Sequence, residues 1–225
     1  MSMITAFGLH LNKQENDQRA RLYVQLERFT FGIAISLDTV ISTFMGRPPA
    51  LSFRYVSCPM LLDIDAETAM DDTIPLEDKL DVGGWNNQNK FFTSTRRRAH
   101  FIACRLRHEV LELCFGVEDS DRPLRIQETR ARLYAEQAKL PLLFHSQIDR
   151  SIFASVSHYG ITVIISNRLE FLHSHFLLAR IEGTSNSQGI LMDVASKMLD
   201  LIVAVFNMRD YLIPTFNDWI VWIVS

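Results

Sequence analysis

The stretch from Asp17 to Pro49 constrains the fold more than any other part of the chain, because it combines a helical apolar rhythm with a double stop signal. Gly46 can take the left-handed conformation that ends many helices, and Pro48 lacks the N–H that a continuing helix needs. The sequence predicts a long helix that ends at Gly46, with Asn16 or Asp17 as its N-cap. Its predicted buried face consists of apolar residues three or four apart: Leu22, Leu26, Phe29, Ile33, Leu37, Ile41 and Phe44.

An acidic segment follows this helix and a short extended stretch. Between Asp63 and Asp81 eight acidic residues face only Lys79. The residues from there to Lys90 are rich in turn formers, and such composition favours a solvated loop, which we predict over about 63–92. The loop lacks the ligand order of a calcium-binding EF-hand, so the sequence predicts no metal site there.

Later apolar periodicity predicts further helices at 93–116, 121–139, 169–180 and 190–212, with Gly183–Gly189 as a loop between the last two. The β-branched run Ile161–Ile165 suits a strand, but in a helical chain we interpret it as the start of a helix. The fold class is therefore all-α, an irregular multi-helix array of about six helices in one partial domain over 1–225. The predicted core positions are Ala99, Ile102, Leu106, Val110, Leu113, Leu124, Leu133, Tyr134, Leu169, Leu172, Phe176, Ala179, Leu191, Val194, Met198, Leu201, Val205, Met208 and Leu212.

The charge pattern argues against direct nucleic-acid binding. A net charge of −3 leaves no excess of lysine and arginine to neutralise phosphates. The predicted helix at 93–116 is basic, so it suits either an acidic partner or a solvated face that pairs with the acidic segment before it. We favour the second reading, because no aromatic side chains are interleaved to stack on bases.

The residues with catalytic potential form no recognisable set. His173 and His175 lie two apart, so on a helix they point away from each other and cannot share a metal ion. There is no phosphate-binding glycine loop and no nucleophile elbow. The sequence therefore predicts no catalytic residue, no metal ligand and no cofactor. Isolated candidate bases are His100, His108, His145 and His158.

Residues in and after the first predicted helix resemble the fungal-specific transcription factor domain, also called the middle homology region of fungal zinc-cluster regulators. The resemblance rests on the turn Gly46-Arg47-Pro48-Pro49 after a helix that carries Arg28, Phe31, Leu37 and Asp38. The chain departs from the family pattern at three positions of that helix: Phe29, Gly32 and Thr39.

The resemblance implies a regulatory domain that modulates transcription in the nucleus. It implies a small-molecule effector, the transcription machinery or a co-regulator, and a second copy of the chain as partners, with no membrane. DNA contact and zinc belong in the family to a separate six-cysteine module, and relative to the family the chain is expected to be truncated at both ends.

Two alternatives stay open at the level of the sequence. The first is a stand-alone helical pocket protein or enzyme acting on a small lipophilic metabolite, with walls rich in Phe and Met. The second concerns Arg47, which either binds an anionic ligand or fixes the turn, by bonding the last helix carbonyls or pairing with an acid such as Asp38. Arg28 is the other candidate partner for Asp38.

Overall fold

The computed structural model describes residues 8–11, 20–116 and 120–208, and these contain helices and no strand, which confirms the all-α fold class. The contacts of the chain cluster into two compact units, residues 1–108 and 109–225. The six α-helices of the described residues are α1 Arg21–Met45, α2 Ala66–Met70, α3 Thr93–Phe115, α4 Arg122–Ala138, α5 His158–Glu182 and α6 Ser185–Asn207. Short 3-10 helices lie at Phe53–Tyr55, Leu142–His145 and Arg150–Ala154.

Helix α1 ends at the predicted residue, whereas it begins at Arg21, later in the chain than predicted. Gly46 has φ 60° and ψ 40°, and both it and Arg47 donate their backbone N–H groups to the Ser42 carbonyl. This left-handed cap satisfies a carbonyl that the end of the helix would otherwise leave without a donor. At the other end the helix begins at Arg21 after Ala20, which makes no side-chain cap bond. The expected caps Asn16 and Asp17 lie outside the described residues.

The predicted buried face of α1 is wrong. The helix buries Phe31 and Ile35 together with the small polar residues Ser36, Thr39 and Ser42. Thr39 can be buried because its hydroxyl donates to the Ile35 carbonyl of its own helix at 2.9 Å. Members of the predicted face are exposed instead, namely Leu22, Leu26, Leu37, Ile41 and Phe44.

The core of the first unit forms where the chain returns along α1. Phe31 and Ile35 pack with Leu51, which follows the turn, and Phe53 and Phe101 surround this cluster. Phe101 packs edge-on against Phe53, with ring centroids 5.9 Å apart. The bend after Gly46 therefore brings an apolar strip back over the same helix.

The prediction of a mostly solvated loop over 63–92 is wrong at its anchoring points. Asp63 and Trp85 are buried, and Thr68 is buried in the short helix α2. The segment is held in place by hydrogen bonds to its few buried side chains, above all to the Asp63 carboxylate. Most of its acidic side chains are exposed. The acidic composition of the segment correctly indicated that most of its side chains are exposed, but it did not indicate which few are buried.

Helix α3 keeps the bounds and the apolar face that its periodicity predicts, since Ala99, Leu106, Val110 and Leu113 are buried. Its arginines do not form one solvated face. Arg98 and Arg107 are 7 % and 5 % exposed.

In the second unit, α4 packs against α5 through a face that was only partly predicted. Leu133 is fully buried, as expected, with Ile126 and Thr129 beside it at helical spacing. Leu124 and Tyr134 are more than half exposed, so their prediction as core residues is wrong. They lie off the face that Ile126 and Leu133 define.

Helices α5 and α6 contain 25 and 23 residues and pack on each other. The run Ile161–Ile165 is helical and almost wholly buried within α5, so tertiary burial outweighs its β propensity. Gly183 ends α5 at φ 64°, as predicted, but the expected loop up to Gly189 is wrong. The Thr184 side chain accepts the Ser187 N–H and starts α6 at once.

The predicted face of α6 is confirmed at four positions that are buried, Val194, Leu201, Val205 and Met208. Leu212 lies outside the described residues. Among the helices of the described residues, none is both long enough and apolar enough to cross a membrane.

Candidate functional site

The turn after α1 is fixed by the carboxylate of Asp38. One carboxylate oxygen accepts the backbone N–H groups of Ala50 and Leu51 at 2.8 and 2.9 Å. The other lies 3.7 Å from the Arg47 guanidinium, which also donates to the Pro48 carbonyl. Of the two arginines considered, Arg47 is therefore the one that pairs with Asp38. Because Pro48 and Pro49 have no N–H, the first available donors after the turn are the two that Asp38 receives.

The remaining motif residues do not converge on this turn. Phe31 is 1 % exposed and belongs to the apolar core. Arg28 is half-buried and donates to the Met60 carbonyl at 3.4 Å, and burial lowers the pKa of its guanidinium. Leu37 is 55 % exposed. The motif thus combines a core residue, a helical arginine that bonds the segment after the turn, and a surface residue.

Exposed apolar residues lie on one side of α1 toward each end of the helix, with the half-buried Phe29 and Ile33 between them. This apolar stripe, as we name it, comprises Leu22, Leu26, Leu37, Ile41 and Phe44, each between 37 % and 55 % exposed. A group of exposed apolar side chains, such as Leu37, Ile41 and Phe44, commonly marks an interaction site. The stripe is therefore a candidate partner surface.

A buried acid and a buried base tie the acidic segment to α3. Asp63 is fully buried and accepts the Asn86 amide and backbone N–H and the hydroxyls of Ser94 and Thr95. Arg98 donates to the carbonyls of Leu61 and Gly83 and lies 5.0 Å from the centre of the Trp85 ring.

These groups have a structural rather than a catalytic arrangement. Burial lowers the Arg98 pKa, and the nearby carboxylates of Asp63 and Asp81 oppose that shift. Arg98 bonds two backbone carbonyls and lies over an aromatic ring, and these contacts hold the segment in place. Sequence reasoning missed Asp63, because nothing in an acidic run distinguishes its one buried member.

A polar cavity of about 240 Å³ lies in the second unit, next to the 3-10 helix Leu142–His145. Its lining residues are Gln137, Leu140, Phe144, His145, Asn167 and Arg168. Arg168, on α5, donates through Nε and Nη2 to the Phe144 carbonyl at 3.1 and 2.9 Å, and through Nη2 to Ser146. Burial lowers the pKa of this guanidinium. Sequence reasoning missed this site, because Arg168 lies three positions after the apolar run Ile161–Ile165 and nothing in the sequence shows that it bonds the 3-10 helix.

An apolar crevice in the first unit offers far less room. It lies between Phe29, Phe31, Met60 and Phe101 and holds only about 10 Å³. A volume of that size is about one water molecule. This crevice is thus too small for a lipophilic metabolite.

The histidines occupy unrelated environments. His108 is buried with its ring edge-on to Phe53, whereas His145 and His158 are exposed. His175 on α5 is 5 % exposed and stacks on Tyr134 with ring centroids 4.4 Å apart. Burial lowers its pKa to about 4, with smaller effects from the positive charges of Arg130 and Lys197.

Comparison with family models, with characterised proteins and with solved structures finds no match to this chain.

Proposed function

We propose that this chain is a regulatory domain of the fungal-specific transcription factor type, acting in the nucleus through a partner that reads its helical surface. The observation that carries the proposal is the Asp38 carboxylate, which receives the first two N–H groups after the Gly46-Arg47-Pro48-Pro49 turn. Asp38 and Arg47, two of the residues that resemble the family motif, thus act together at this bend, and Arg47 has a structural role there.

The apolar stripe of α1 supports the proposal that the chain acts through a protein partner that binds its helical surface. A co-regulator with a complementary apolar face would cover side chains such as Leu37 and Ile41, which are about half exposed. An effector can shift such an interaction only by its differential affinity for two packing states of the domain. DNA contact would lie in a separate module, consistent with the net charge of −3.

The alternative, a pocket protein or enzyme for a lipophilic metabolite, has less support. The apolar crevice holds about 10 Å³, and the larger cavity is lined mainly by polar side chains. Neither suits a lipophilic ligand, since such pockets are predominantly apolar and larger.

A reporter experiment tests the proposal. The complete chain is fused between an unrelated DNA-binding module and an activation segment, and reporter output is measured in yeast. We expect output that differs from that of a matched fusion carrying an unrelated helical domain of similar length. Equal output from the two fusions, with the chain shown to be folded by circular dichroism, would overturn the proposal.

A further inference from the structure

The cavity beside the 3-10 helix Leu142–His145 contains a positive charge without a counter-ion. Arg168 is half-buried, and within the described parts of the chain no carboxylate lies close enough to form an ion pair with it. A partly desolvated cation is stabilised by an anion brought into its vicinity. We propose that this cavity binds a small organic carboxylate, with Arg168 as its anchor.

The geometry of Arg168 leaves one edge of the guanidinium for a ligand. Its Nε and Nη2 donate to the carbonyls of Phe144 and Ser146, which fixes the plane of the group. Among the described residues Nη1 has no hydrogen-bond partner. A side chain already held in one orientation loses little entropy when it binds, so the site is preorganised.

The other lining residues define the ligand's size and polarity. None of them is acidic, so no negatively charged lining residue repels an anion. Gln137 offers an amide, whereas Leu140 and Phe144 provide apolar contact for a short hydrocarbon group. The volume of about 240 Å³ is below the roughly 300 Å³ of the smallest drug-sized sites. The site therefore suits a compact monocarboxylate with one apolar end.

Isothermal titration calorimetry of the complete chain with benzoate, and separately with inorganic phosphate, tests the proposal. We expect saturable binding of benzoate and weaker binding of phosphate, because phosphate gains nothing from Leu140 and Phe144. Arg168→Met should weaken benzoate binding at least about tenfold, since it removes a charge-assisted contact. Arg180→Met removes the same charge from an exposed position of the same helix and should leave binding unchanged.

A second variant keeps the test informative if Arg168→Met fails to fold, since that change also removes the bonds to Phe144 and Ser146. Gln137→Phe fills the cavity and leaves Arg168 in place, and it should also weaken benzoate binding at least about tenfold. Absence of benzoate binding at millimolar concentration, equal binding of phosphate, or an equal loss in Arg180→Met would each overturn the assignment. The proposal concerns binding and stands independently of the regulatory function.

Discussion

The Arg47 guanidinium lies 3.7 Å from the Asp38 carboxylate, across the turn that ends α1. Arg47 is 43 % exposed, whereas Asp38 is 10 % exposed and also receives two backbone N–H groups. A solvent-screened ion pair at this distance stabilises a fold only weakly. The two backbone bonds therefore carry most of the stabilisation at this turn.

We predict that Asp38→Ala lowers the free energy of unfolding by about 2 kcal/mol, because the N–H groups of Ala50 and Leu51 lose their acceptor. Arg47→Ala should cost less than about 1 kcal/mol, because its ion pair is exposed. Urea denaturation measures both changes. An Arg47→Ala variant that is less stable than Asp38→Ala would contradict this ranking.

Two glycines test the backbone argument with the same substitution. Gly46→Ala should destabilise by about 1 kcal/mol, because a Cβ is unfavourable at positive φ even though space is open there. Gly189→Ala, at an open position within α6, should stabilise by about 0.5–1 kcal/mol, because alanine favours a helix interior. Opposite shifts in melting temperature confirm the conformational assignment, and shifts of one sign would refute it.

Loss of the buried acid in the acidic segment should be costly. We expect Asp63→Ala to lower the free energy of unfolding by about 3 kcal/mol, because the donors on Asn86, Ser94 and Thr95 lose their acceptor. Asp78→Ala removes the same charge from an exposed position of that segment and should change stability by less than about 0.5 kcal/mol. Similar melting curves for the two variants would show that Asp63 is not an anchor.

Burial of His175 should make stability depend on pH. Its pKa in the folded chain is about 4, below the ordinary 6.5, so the folded state resists protonation. The folded state loses stability as pH falls through 6.5 toward 4, because the unfolded chain binds the proton first, and the loss amounts to about 2 kcal/mol between pH 7 and pH 5.

Urea titrations at pH 7 and pH 5 measure this effect. His175→Phe keeps an aromatic ring against Tyr134 and should remove most of the loss, whereas His158→Gln, at an exposed position, should behave like the original protein. An unchanged pH response in His175→Phe would assign the effect to other groups.

The apolar stripe of α1 yields a functional prediction. Leu37→Glu combined with Ile41→Glu should abolish the effect of the chain on the reporter, because charges would be forced into a partner interface. The melting temperature should change little, since both side chains are about half exposed. Met192→Glu combined with Leu199→Glu, at exposed positions of α6, is the control and should leave the reporter effect intact.

Sequence patterns predicted helices better than the faces that those helices bury. Gly46 and Gly183 marked helix ends correctly because their preference for positive φ is a local property. Val194 and Val205 were placed correctly because their helical spacing coincides with the face of α6 that packs on α5. In α1 the larger apolar face proved exposed, since Ser36 and Thr39 are small enough to lie against the core.

The polar sites were harder to predict, because they depend on contacts distant in sequence. Asp63 is bonded to Ser94 and Thr95 about thirty positions later, and Arg168 binds carbonyls more than twenty positions earlier. Neither partner set follows from helical periodicity. The pairing of Asp38 with Arg47 was an open alternative at the level of the sequence, because the two residues lie close together at one helix end.

Arg21 holds the outermost part of the acidic segment, since it donates to the backbone carbonyls of Thr68, Asp71, Asp72 and Ile74. Together with the bonds at Asp63, this secures the segment on both sides of its exposed middle around Pro75. A protease that cut the peptide chain there would release neither fragment. The two pieces would stay associated and run as one species on a native gel, separating only in denaturant.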